Sequence, residues 1–272
     1  MNNLTELDLQ SIQALVADMD GVFWLGDTPL PGLEDFFDFL HARSMPYMLA
    51  TNNASRTQDQ YVQKFAKFGI EVDRDRILTS SLATAAYLRP QFANGSKAYV
   101  VGQDGLRSAL REAGFEVMED SSEPVDVVAA GIDFELTYET LKHAVLLIQQ
   151  GAKFVGTNGD LTFPIEGGYF APGAGSILAA IEAATGVKPV TVGKPGRVMF
   201  DIALQKMGTT PENTAMLGDR LETDILGGQQ AGLKTILVKT GVDNEDTIVQ
   251  KGVQPDIIFD GIDELTQYWV KL

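Results

Sequence analysis

Short apolar runs that break at an acid or a hydroxyl, separated by segments of helical periodicity, constrain this chain more than any other feature. Ala14-Leu15-Val16-Ala17 runs into Asp18-Met19-Asp20-Gly21, Tyr47 to Ala50 into Thr51-Asn52-Asn53, and Ala215 to Leu217 into Gly218-Asp219. Runs this apolar suit strands buried on both faces, and their alternation with helical segments predicts βαβ units around a parallel sheet. The class is α/β. Ligands of such sheets gather outside the carboxyl ends of the strands, so the residues that end the three runs are the first candidates for chemistry.

The remaining elements divide into two sets. Ser55 is expected to cap a helix with Tyr61, Phe65 and Phe68 on one face, and a helix is expected near Ser81 to Leu88. The loop-rich Pro90 to Ser96 then lets the chain leave one domain for another. A second set follows: strand Lys97 to Val101, helix Leu106 to Ala113, strand Val125 to Ile132, helix Tyr138 to Gln149 and strand Phe154 to Thr157. Helix Ser176 to Thr185 stops at Gly186, and Pro189 to Pro195 reads as the return crossing. Strands Thr235 to Val238 and Ile257 to Phe259 complete the first set. The 272 residues are enough for about two domains of ~100 to 200 residues.

Composition removes several function classes. The formal charge of −16, from 37 acidic and 21 basic residues, repels nucleic acid and anionic lipid. With no cysteine there is no disulfide, thiolate nucleophile or cysteine-based zinc site, and two histidines, His41 and His143, make no histidine-rich metal site. Met1 to Asp8 show no basic segment followed by an apolar core, and no apolar run approaches ~18 residues. The expectation is a soluble cytoplasmic protein with no membrane partner.

Asp18-Met19-Asp20-Gly21 resembles the start of a calcium loop, but position 12 of such a loop falls on Pro29, where a bidentate Glu is required. The pattern fits phosphoryl transfer from a monoester, which needs a nucleophile, a proton donor for the leaving oxygen, and charge and donors against the phosphoryl oxygens. Asp18 is placed as the nucleophile and Asp20 as the acid and base. Thr51 offers a hydroxyl, and Asn52 and Asn53 offer donors ahead of a helix N-terminus. Lys194, between Gly193 and Pro195, supplies an ammonium. Attack on a dianionic ester needs a cation, and oxygen-only ligands select a hard ion such as magnesium; Asp18, Asp20 through its backbone carbonyl, Asp219 and Asp224 are its expected ligands.

In their order, DxDG, TNN, GKP and GDxxxxD resemble the four motifs of the haloacid dehalogenase-like hydrolase superfamily, carried here by Asp18 to Gly21, Thr51, Lys194 and Gly218 to Asp224. Thr157-Asn158-Gly159-Asp160 and Pro172 to Ser176 are most similar to segments of its branch containing NagD and the p-nitrophenyl phosphatases. The resemblance implies a Rossmann-like parallel-sheet core domain, residues 1–82 and 188–272, with an inserted smaller α/β cap domain of the C2 type, residues 83–187. It also implies a magnesium-dependent phosphatase that acts on a small phosphorylated metabolite through an aspartyl-phosphate intermediate, with a homodimer through the cap as its expected assembly. Pyridoxal phosphate phosphatases of the branch carry a His soon after their Thr-Asn-x-Asp segment, where this chain has Leu161-Thr162-Phe163-Pro164, and Phe163 points away from that substrate. Asn158, Asp160 and Phe163 become the candidate substrate contacts of the cap.

Two other readings use the same residues. A phosphomutase would return the phosphoryl group to a bound sugar, and a sensor would keep it without turnover; Asp20, a group placed to promote hydrolysis, argues against the sensor. Gly173-Ala174-Gly175-Ser176-Ile177-Leu178 lacks the third glycine of a dinucleotide fingerprint, and no P-loop occurs.

Overall fold

The computed structural model describes residues 9–120, 123–164 and 169–272. Residues 1–8, read above for the absence of a leader-like pattern, lie outside them. The chain forms two compact units, one of Met1–Thr51, Val62–Leu78 and Met199–Leu272, the other of Asn52–Tyr61 and Thr79–Val198. Residue 83, the expected start of the insertion, lies within the helix Ser80–Leu88.

The sheet of the first unit runs Ile257–Phe259, Lys234–Val238, Thr214–Gly218, Ala14–Ala17, Tyr47–Thr51, Ile77–Thr79. Each pairing whose register is resolved is parallel, and the four central strands are buried almost throughout, as their unbroken apolar runs predict. After Ala14–Ala17 the chain builds outward on one side through Tyr47–Thr51, then returns to build outward on the other through Thr214–Gly218. That reversal marks the junction of Ala14–Ala17 and Thr214–Gly218 as the place where ligands of such sheets bind. On one face an aromatic core joins Phe23, Trp24, Phe37 and Phe65, with neighbouring centroids 4.9 to 6.2 Å apart.

The second unit has its own parallel sheet, in the order Val190–Thr191, Lys153–Gly156, Val127–Ala130, Lys97–Val101, Glu116–Met118. Helices Tyr138–Gln149 and Ala174–Thr185 bury Ala144, Leu147, Ile148, Ile177, Leu178 and Ile181 against it. Gly186 ends the second helix at φ 71°, the left-handed stop its position predicts.

Several elements differ from expectation. The helix after Thr51 begins at Gln58; Thr57 caps it, its hydroxyl accepting from Gln60 N–H while Gln60 Oε1 accepts from Thr57 N–H. Ser55 instead donates from N–H and Oγ to Asn53 Oδ1, closing an Asx turn. Val190–Thr191, read as a crossing, pairs with Lys153–Gly156. The antiparallel hairpins Trp24–Leu25 with Thr28–Pro29 and Thr162–Pro164 with Phe170–Pro172 escape notice in sequence because strands of two or three residues show no period. No helix among the described residues is long and apolar enough to cross a membrane.

Candidate active site

Three acids predicted from sequence meet at the junction of the two central strands of the first unit. Ala17 pairs with Leu217, and Asp18 N–H donates to Leu217 O at 2.8 Å, so the ladder continues until the chain reaches Asp18. Asp219 follows the neighbouring strand directly. Asp224 is delivered by a turn of π-helix, Leu221–Ile225, in which Arg220 O accepts from Asp224 N–H at 3.0 Å and from Ile225 N–H at 3.3 Å. The extra residue of a π turn rotates the side chains that follow it, a device common at functional sites. Asp18, Asp219 and Asp224 are buried and each offers an oxygen within 4.8 Å of the others.

Glycines make that approach feasible. A Cβ at Gly218 would lie 2.3 Å from Asp224 Cβ, and one at Gly241 would lie 1.9 Å from Asp219 Oδ2. Asp219 Oδ2 accepts from Val242 N–H at 2.8 Å, and Asp224 Oδ2 accepts from Arg220 N–H at 3.1 Å. Three carboxylates gathered in a buried site repel one another, and an all-oxygen donor set of this charge fits a hard divalent cation. Asp20 stands apart from the cluster: its carboxylate is exposed and accepts from Trp24 Nε1 at 2.7 Å. Thr51 ends its strand, buried, at the same edge of the sheet.

A fourth strand end contributes residues that the sequence reading passed over. Beyond Lys234–Val238, Thr240 Oγ1 donates to Gly21 O at 2.5 Å, and Asp243 N–H donates to Asp219 O at 3.0 Å. Asp243 is 1% exposed; its Oδ2 accepts from Leu221 N–H at 2.7 Å and its Oδ1 from Lys251 Nζ at 2.8 Å. Burial alone would draw the Lys251 ammonium down, but its bonds to Asp243 and Glu222 outweigh that and hold it above its ordinary value. The signal is Ile236-Leu237-Val238, another apolar run, which breaks into Lys239-Thr240-Gly241-Val242-Asp243 with its hydroxyl, glycine and acid.

In the second unit Asn52 grips the peptide of Lys194 from both sides. Asn52 Oδ1 accepts from Lys194 N–H and Asn52 Nδ2 donates to Lys194 O, each at 2.8 Å. Nδ2 also donates to Asp160 Oδ2 at 3.1 Å. Gly193 is required beside this pair, since a Cβ there would lie 2.6 Å from Asn52 Oδ1. Lys194 itself is buried. Asn158 is engaged at both ends of its amide, Nδ2 donating to Asn52 O at 2.7 Å and Oδ1 accepting from Asp160 N–H at 3.1 Å. Phe163 lies edge-on to the exposed Phe134 ring, centroids 6.2 Å apart.

Residues 15–116 match the family described as haloacid dehalogenase-like hydrolase, and residues 191–265 match the one described as HAD-hydrolase-like. An acid sugar phosphatase of Staphylococcus haemolyticus is 37% identical over 92% of this chain and 94% of its own. Among solved structures, p-nitrophenyl phosphatase from Archaeoglobus fulgidus superposes with TM-score 0.89 at 30% identity, covering 94% of this chain and 99% of that one. NagD from Escherichia coli K-12 superposes with TM-score 0.84 at 36% identity, covering 93% and 98%.

Proposed function

The chain belongs to the haloacid dehalogenase-like hydrolases, and from that premise we propose that it hydrolyses small phosphate monoesters, sugar phosphates among them, by way of a phosphoryl group carried on Asp18. One observation carries the reading: Asp18, the end of a buried central strand, shares a pocket of negative charge with Asp219 and Asp224. A carboxylate so placed attacks phosphorus only where positive charge is held beside it.

In the first step an Asp18 oxygen bonds to phosphorus as the bond to the leaving oxygen breaks, and Asp20 gives that oxygen its proton. In the second, Asp20 takes a proton from a water that attacks the same phosphorus and frees Asp18. The Thr51 hydroxyl and the Asn52 N–H donate to the phosphoryl oxygens, and Lys194 supplies charge against them; Asn53 shapes the turn between Thr51 and the helix that follows. Asp18, Asp219, Asp224 and the backbone carbonyl of Asp20 would hold magnesium, which when bound supplies the charge that screens the ester dianion. Support for sugar phosphates comes from the relatives named acid sugar phosphatase, and Asp160 and Phe163 are the residues we assign to substrate ranking. The cytoplasm is the compartment we assign to this work, and a homodimer through the second unit is the assembly we assign, its stoichiometry to be checked by sedimentation.

The test is phosphate release from 4-nitrophenyl phosphate and a panel of sugar phosphates, with magnesium or with chelator, for the parent and Asp18→Asn. Magnesium-dependent release that falls by roughly a thousandfold or more in a folded Asp18→Asn variant supports the reading. An isomeric sugar phosphate in place of free phosphate makes the protein a mutase, and binding without release on any substrate makes it a sensor.

A further inference from the structure

An exposed carboxylate in water samples several rotamers, and a hydrogen bond from a fixed donor favours one of them for Asp20. Trp24 Nε1 donates to Asp20 Oδ1 at 2.7 Å, within the range of charge-assisted bonds. The turn that brings the indole back is closed at both ends, Phe23 N–H donating to Met19 O and Gly21 N–H to Trp24 O, each at 2.9 Å. The donor is itself immobilised. Trp24 is fully buried, packed edge-on to Phe65 at 4.9 Å between centroids, and Lys64 Nζ lies 4.3 Å from its ring centroid. Lys64, also buried, donates to Gly26 O at 2.7 Å. An ammonium on the face of an indole is attracted to its π electrons, and by drawing on them it sharpens the N–H at the ring edge as a donor.

A buried indole needs a partner for its N–H, and a backbone carbonyl is enough. The chain's other tryptophan is satisfied in that way, Trp269 Nε1 donating to Leu9 O at 3.1 Å. Trp24 turns its N–H instead to the exposed acid two residues beyond Asp18. We infer that Trp24, backed by Lys64, is a positioning residue that holds the Asp20 carboxyl where it meets the leaving oxygen. This role rests on the proposed phosphatase reading. As the phosphorus–oxygen bond to the leaving group breaks and the bond to Asp18 forms, the proton on Asp20 passes to the departing alkoxide, and a carboxyl free to rotate delivers it less often.

The experiment compares kcat/KM, which reports the steps through leaving-group departure, on an alkyl phosphate and on 4-nitrophenyl phosphate, whose leaving group needs little protonation. It uses the parent, Trp24→Phe, Asp20→Asn and the double variant. Trp24→Phe is expected to lower kcat/KM about tenfold on the alkyl ester and at most about twofold on the nitrophenyl ester, and to have no further effect in the Asp20→Asn background. Equal losses on both esters, or the same loss with and without Asp20, overturn the inference. So does parent-like hydrolysis of the alkyl ester by Trp24→Phe while Asp20→Asn is slow, which leaves the phosphatase reading standing. If Asp20→Asn matches the parent on the alkyl ester, the acid role of Asp20 fails and the role of Trp24 with it. Where Trp24→Phe does not fold, a benzothienylalanine at position 24 keeps the bicyclic shape without the N–H, and the same outcomes decide.

Discussion

A Cβ on Gly21 would stand 2.4 Å from Asp219 Oδ2. The residue that closes the first motif and the acid that opens the last are thus in contact across two adjacent strands, and Gly21 meets two demands at once, since its backbone also sits at φ 86°.

Gly21→Ala is therefore expected to damage stability and site together. The left-handed backbone and the displaced carboxylate each cost on the order of 1 to 3 kcal/mol. A melting temperature lowered by several degrees, with phosphate release reduced far beyond the loss of folded protein, is the expected result. A variant with parent-like melting and turnover would show that Asp219 moves aside without consequence.

Magnesium should stabilise the parent, because relief of repulsion among Asp18, Asp219 and Asp224 is available only in the folded chain. At about 100 times its dissociation constant the ion contributes ~2.7 kcal/mol. Thermal melting with magnesium and with chelator measures this directly, without any substrate. In Asp219→Asn the magnesium-dependent shift should shrink, while the metal-free melting temperature should equal or exceed that of the parent, since one of three like charges is gone.

Asp243→Ala removes the acceptor for Leu221 N–H and a partner of Lys251. A buried donor left without its bond costs roughly 1 to 3 kcal/mol, and the π turn that carries Asp224 loses its anchor. A lower melting temperature and weaker magnesium binding by titration calorimetry are expected. Asp243→Asn keeps an acceptor for Leu221 and should fall between the two.

Asn52→Ala removes both side-chain bonds that Asn52 makes to the Lys194 peptide. Turnover should fall by about one to two orders of magnitude, with a smaller loss in Asp160→Asn, which weakens the outer bond to Asn52. Equal turnover in Asn52→Ala and the parent would show that Lys194 is held well enough by its turn.

Much of this molecule was readable because it is local. The apolar runs before Asp18, Thr51 and Asp219 are strands, Gly186 stops its helix, and helix Tyr138–Gln149 keeps its expected bounds. Each depends on residues within a few positions of one another, so composition and period suffice. The helix is capped by Thr57 and not by Ser55 for the opposite reason: both residues are able to cap, and the choice falls to Asn53, which takes both Ser55 donors.

The sequence by itself determined the class of the fold and the chemical types that end its central strands, since strand burial and turn chemistry are written in neighbouring residues. Only the tertiary structure decided which strand ends meet. The pairing of Ala17 with Leu217 joins segments 200 positions apart, and no local period encodes such a partner. The same holds for Asp243 beneath the π turn and for Asn52 around the Lys194 peptide. The indole of Trp24 on Asp20 is closer in sequence, yet it too needed the packed ring of Phe65 and the ammonium of Lys64 to hold it there. Bonds of this kind form only when a core has fixed their donors, and so they belong to the folded chain as a whole.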